Sequence, residues 1–284
     1  MRARTAFAAA TFILVAAYAA AHEEQAEAPD QETGPALSSS DPAQASISTT
    51  SPDPTVLAFD EMRVPRWLTE TVVRAAQVTG VDPAYLMALA DKESSLLPDN
   101  KARTSSAEGL FQFVEGTWLD VLRRYGPKHG YAAEAAAIQM VEGRPVVVDS
   151  DERGRILSLR RDPYLSALMA GEMINTHQQI MTGTIERDLS FAELYMAHLL
   201  GLQGARRFVA LLSNAPDKSA SKAFPRAAKA NRALSFTLHQ DTTQKRKALT
   251  IAEVHGRLEA VITQRVVRYS SIRWGLPPAA VITP

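Results

Sequence analysis

The chain contains no cysteine. That absence excludes disulfide staples, thiol chemistry and anchoring through a lipidated cysteine. A chain of 284 residues has enough apolar material to hold a core without staples, even in an oxidising compartment. Net charge is absent too, since 31 Lys and Arg balance 31 Asp and Glu, so the average says nothing about an anionic partner. Histidine is sparse, and the six present, His129, His177 and His198 among them, have no close metal-ligand spacing. No metal and no cofactor are expected. The apolar run from Ala6 to Ala21 falls short of the about 20 residues that a membrane-spanning helix needs. Arg2 and Arg4 precede it and Ala19-Ala20-Ala21 closes it, which is the layout of a secretory signal peptide over residues 1–21. Retention as an uncleaved anchor is the alternative; either way export is expected, to the periplasm.

What is present is uneven along the chain. Residues 22–62 are rich in Ala, Pro, Ser, Thr, Gln and acidic side chains, without apolar periodicity, and read as a disordered linker. Residues 63–240 read as one folded domain. Trp67, Val72, Val73, Ala76 and Val78 give a helical stripe that stops at Gly80. Asp82-Pro83 starts a second helix, with an N-cap residue followed by proline in the first turn, running to about Leu97. Further helices are expected over 110–125, 132–141, 163–181, 191–200 and 205–212, and a last one over 251–269. Pro145 to Val148, a polar turn over 149–154, and Ile156 to Leu159 read as a β-hairpin. The fold class is therefore mainly α with one small hairpin inserted. From Asp217 onward twelve Lys or Arg face four acidic residues, so residues 241–284 read as a basic helix and tail. Solvated helix faces explain such a bias, and so would an anionic polymer or membrane; no nucleic-acid partner is expected.

Glu93 stands out chemically. Leu89 and Leu86 lie four and seven residues before it, so all three share a helix face. A carboxylic acid at the edge of an apolar face is desolvated and so holds its proton more readily, which suits it to donate to a glycosidic oxygen. Asp91 and Lys92 point elsewhere and are expected to be solvated. Gly109 permits close approach of a ligand to the backbone. Gln112 offers both a donor and an acceptor. Ser106 and Gln112 are also in place for ordinary helix capping.

The stretch Glu93-Ser94-Ser95-Leu96-Leu97-Pro98, Ser105-Ser106-Ala107-Glu108-Gly109-Leu110-Phe111-Gln112-Phe113 and Gly116-Thr117-Trp118 resembles the lysozyme-like soluble lytic transglycosylase (SLT) family. There a Glu-Ser pair ends a helix, a Ser/Gly-rich loop follows, and a Gly-Leu-x-Gln segment opens the next helix with a threonine five residues after the glutamine. A second family motif is Tyr-Asn-Ala-Gly, whose tyrosine hydrogen-bonds the catalytic carboxyl; Tyr195-Met196-Ala197-His198 keeps the tyrosine and the alanine only. The resemblance implies a lysozyme-like helical fold with Glu93 and Tyr195 as catalytic residues. It also implies that Ser94, Ser106, Gly109, Gln112 and Phe113 line the glycan site. His198, taken alone, reads as a core or surface histidine, with catalysis the alternative.

The same resemblance implies peptidoglycan glycan strands as substrate. Glu93 would protonate the bond between N-acetylmuramic acid and N-acetylglucosamine, then take the proton of the muramyl C6 hydroxyl, leaving a 1,6-anhydro end. Most glycosidases use two carboxylates; here one serves twice. The rivals are a muramidase that uses water, with Asp99, Glu108, Glu115 or Asp162 as second carboxylate, and a non-catalytic glycan-binding scaffold within envelope machinery. A monomer is expected.

Overall fold

A computed structural model describes residues 53–185, 187–230, 248–273 and 279–280. The signal segment 1–21, most of the linker 22–62 and the boundary at 240/241 lie outside the described residues. The fold is mainly helical, as expected, but its strands are placed differently.

Helices α1 (Arg66–Thr79), α2 (Pro83–Ser94), α3 (Glu115–Tyr125), α4 (Ala132–Ala137), α5 (Ser150–Ser158), α6 (Pro163–Ile185), α7 (Phe191–Asn214), α8 (Ala220–Ala223), α9 (Pro225–Ala230) and α10 (Ile251–Arg268) make up the bulk. Helix α2 is central, packed by α1, α6 and α10. Ala84 to Asp91 is buried without interruption, the mark of a helix covered on every side. Ala84, Ala88 and Ala90 leave room for close neighbours. Asp82 accepts from the amide nitrogens of Ala84 (2.8 Å) and Tyr85, so the expected cap is present. Helix α1 ends at Gly80, whose φ of 75° is open to glycine at little cost. Its buried face is Leu68, Val72, Ala75 and Ala76, while Trp67 and Val78, expected on the stripe, are exposed.

Two expectations need correction. The linker was expected to run to residue 62, but β1 (Asp53–Phe59) and β2 (Met62–Pro65) form an antiparallel hairpin through Asp60-Glu61, with β5 (Ala279–Ala280) on the other side of β1. Leu57 and Phe59 alternate inward and are buried in the core. The composition was diluted by the polar residues upstream, which hid this period of two. The second hairpin lies earlier than expected. β3 (Gln139–Val141) pairs with β4 (Arg144–Val146) through Glu142-Gly143, both at positive φ. The residues read as its turn instead start α5, because Asp149 accepts from the amides of Asp151 and Glu152 and caps the helix.

Helix α10 joins the same core as α2 and α7, with Ile251, Val254, Leu258, Ile262 and Val266 buried. Part of its basic charge is answered inside the fold: Arg268 donates to Asp91 at 2.8 Å, and Arg273, beyond the helix, pairs with Asp82. Asp91 is therefore buried and paired, contrary to the expectation of a solvated residue.

Candidate active site

Glu93 sits in the last turn of α2, where the chain leaves the helix through two successive left-handed residues, Ser95 (φ 53°) and Leu96 (φ 62°). Neither is glycine, so the exit carries strain of about 1–3 kcal/mol each that the packed surroundings hold in place. Tyr195, on α7, donates its hydroxyl proton to Glu93 Oε1 at 3.0 Å. Burial first, and the Glu93 carboxyl next, push the Tyr195 phenol far above 10, so it remains a donor. Tyr85, two helix turns before Glu93, is likewise pushed up by burial and by Glu93, and stacks on Phe191. The other carboxyl oxygen, Oε2, has no hydrogen-bond partner among the described residues.

Beyond this pair a cavity of about 570 Å³ opens between α3, α6, α7 and the α8–α9 segment; Phe113, Thr117, Tyr125, His177, His198 and Phe224 are among its walls. Helix α7 bends there: Gly201 takes φ 68° and ψ 167° inside the helix, where the sequence suggested two helices. Glu93 itself is not on the cavity wall. His198 is, and its Nε2 lies 3.6 Å from Glu93 Oε1.

The remaining residues singled out in the sequence have other work. Ser94 donates to the Ala90 carbonyl oxygen within its own helix. Ser106 accepts from the amide of Glu115 and so finishes the start of α3. That helix begins at Glu115 and not at Leu110, because residues 108–113 form a turn closed by a bridge between Glu108 and Phe113. Gln112, at φ 48°, donates its side-chain amide to the carbonyls of Asn100 (3.0 Å) and Gly109 (2.8 Å). Gly109 makes room for protein, not for a ligand: a Cβ there would lie 2.0 Å from the Arg160 carbonyl oxygen. Arg160, unremarked in the sequence, ties the loop down by donating to the carbonyls of Ser106 and Phe113 and to Glu108 Oε2 at 2.7 Å. Phe113 alone of the five expected binding residues reaches the cavity, packed edge-on against Trp118.

Residues 70–135 match the family model of the transglycosylase SLT domain. Over that stretch the chain is similar to an SLT domain. The SLT match runs from α1 through the start of α4, so it takes in Glu93 and the clamped loop but not Tyr195 or His198. With the helical architecture and small hairpin, it makes this a lysozyme-like fold. An SLT domain supports glycan cleavage of the lytic transglycosylase type, with peptidoglycan as the substrate class and the cell envelope as the place of action.

Proposed function

We propose that this protein is a periplasmic lytic transglycosylase that cuts the β-1,4 bond between N-acetylmuramic acid and N-acetylglucosamine and leaves 1,6-anhydromuramic ends. The observation that carries this reading is the Glu93–Tyr195 pair, set at the exit of the SLT helix beside a cavity. Glu93 is the source of the proton that leaves with the glycosidic oxygen, and later the acceptor of the proton lost by the C6 hydroxyl as that oxygen closes on C1. No water is consumed, and one carboxyl is enough because the second transfer reverses the first. Tyr195 holds the carboxyl in orientation, and Phe113 offers an apolar wall to a sugar face. Ser94, Ser106, Gly109 and Gln112 shape the loop rather than touch the strand.

Of the four carboxylates named for a muramidase, Asp99 is exposed and the other three are otherwise engaged. Glu108 is held by Arg160 and Arg161, Glu115 by Arg153, and Asp162 accepts from the Leu165 amide. Asp120 does line the cavity but is paired with Arg124 at 2.9 Å. Export through residues 1–21 brings the domain to its substrate.

The test is Glu93→Gln on purified sacculi, with mass spectrometry of the released fragments. The wild type is expected to release anhydro-ended fragments and the folded glutamine variant essentially none, since the amide keeps the shape and cannot exchange the proton. Reducing ends from the wild type would make it a hydrolase; full activity in the variant would remove Glu93 from the chemistry.

A further inference from the structure

Glu93 has to exchange a proton with a sugar, yet its side chain is wholly covered, at 0 % exposure, and it is absent from the cavity wall. The group standing in the gap is His198. Its imidazole forms part of that wall, lies 3.6 Å from Glu93 through Nε2, and stacks on the Tyr195 ring at 5.8 Å between centroids. Neither of its ring nitrogens has a hydrogen-bond partner among the described residues, and both are buried in a side chain that is 5 % exposed. Buried donors and acceptors in this state are uncommon in native folds and call for an explanation, which a partner arriving with the ligand supplies here.

We propose that His198 is a second catalytic residue, relaying the proton between the covered Glu93 carboxyl and the glycan strand in the cavity. The proposal rests on the transglycosylase reading above and adds the route to it. In the first step Nδ1–H gives its proton to the glycosidic oxygen as the bond to C1 breaks, while Nε2 takes the proton of Glu93. The imidazole ends neutral in its other tautomer and Glu93 ends as carboxylate. In the second step the C6 oxygen bonds to C1, its proton passes to Nδ1, and Nε2–H returns a proton to Glu93. Both groups are restored and no co-reactant is used. The 3.6 Å separation exceeds a hydrogen bond by a few tenths of an ångström and Nδ1 is itself buried, so the relay requires a ring movement that closes the gap to Glu93 and turns Nδ1 to the cavity.

The surroundings keep the imidazole neutral, as a relay requires. Glu93 and Lys92 face it from α2, Tyr195 from its own helix, and His177 from α6, with the uncharged Thr117 of α3 on the same cavity wall. Burial lowers the His198 pKa below 6.5; the Glu93 carboxyl opposes this and Lys92 adds to it. His177 is itself lowered to about 4 by burial, then by His198 and Arg124, so it brings no competing positive charge at neutral pH.

The experiment compares the full-length wild type with His198→Gly and His198→Gln on sacculi, with circular dichroism as the folding control. Both variants are expected to lose kcat by about a hundredfold or more with KM within about threefold, the scale of a lost proton-transfer group. Added imidazole is expected to restore part of the glycine variant's kcat in proportion to its concentration. The wild-type kcat should fall as pH drops through the lowered His198 pKa, because an imidazolium cannot accept from Glu93, and the glutamine variant should lack that limb. A folded glycine or glutamine variant with kcat within about threefold of wild type overturns the relay. Should the glycine variant not fold, the glutamine variant decides by the same criterion. A wild type that releases no anhydro-ended fragments overturns the proposed function and the relay together, whereas a lytic wild type beside an active variant overturns the relay alone.

Discussion

At the scale of single residues, the hydroxyl of Tyr195 is the sharpest probe of the site. Its ring is fully buried and its one polar atom donates to Glu93, so Tyr195→Phe keeps the packing and removes one hydrogen bond. Turnover is expected to fall about ten- to a hundredfold, the scale of losing about 1–3 kcal/mol from a positioned group. Kinetics on sacculi beside a denaturant melt checks this, and unchanged turnover would remove Tyr195 from the site. The contact between Tyr195 and Glu93 was legible in the chain because each belongs to a spaced motif. For His198 the sequence left core, surface and catalytic readings open, since a lone histidine carries no spacing, and only the fold shows its buried, unpartnered nitrogens close to Glu93. Gly109 and Gln112 had the right position and a different task. Their local chemistry is compatible with a sugar or with a backbone, and it was Arg160, about fifty residues on, that took the place of the ligand.

At the scale of elements, the helix that ends in Glu93 is held from the far end of the chain. Arg268 and Arg265 of α10 both reach Asp91 on α2, at 2.8 and 3.5 Å. Asp91→Ala leaves two guanidinium groups without that carboxylate beside an apolar contact. Loss of one partner from a fully buried pair costs about 3–5 kcal/mol, and these arginines keep some access to water, so about 1–3 kcal/mol is expected. A chemical denaturation midpoint that does not move would show the pair to be idle. Periodicity could not place Asp91, because a helix covered on all sides has no polar face to point to. Two helix starts, by contrast, were readable: Asp82 and Asp162 stand just before the prolines that begin α2 and α6, and their side chains accept amide bonds there.

At the scale of the whole molecule, the ends of the described chain meet. The β1–β2 hairpin carries β5 on its free edge, and Phe59 packs edge-on against Tyr269 at 5.0 Å. Removal of residues 1–60 deletes β1 with Leu57 and Phe59, two core side chains worth about 2–5 kcal/mol each when truncated. The shortened protein is expected to melt about 10 °C lower or more, by the usual relation between stability and melting temperature in domains of this size. An unchanged melting temperature would show that the hairpin is dispensable. The same contacts make a domain limit at residue 63 too late.

What the sequence alone determined about this protein is what acts over a few residues. The starts of α2 and α6, the mainly helical class, the Glu93–Thr117 motif and its SLT resemblance all depend on near neighbours, whose chemistry is written in order along the chain. Tertiary structure alone decided the partners that come from afar. Asp91 meets Arg268 across 177 residues, Glu93 meets Tyr195 across 102, and Arg160 fills the space beside Gly109. The covering of Glu93 by His198 belongs with these. Burial is a property of everything packed around a side chain, and a one-dimensional pattern records only the share of it that the residue's own helix supplies.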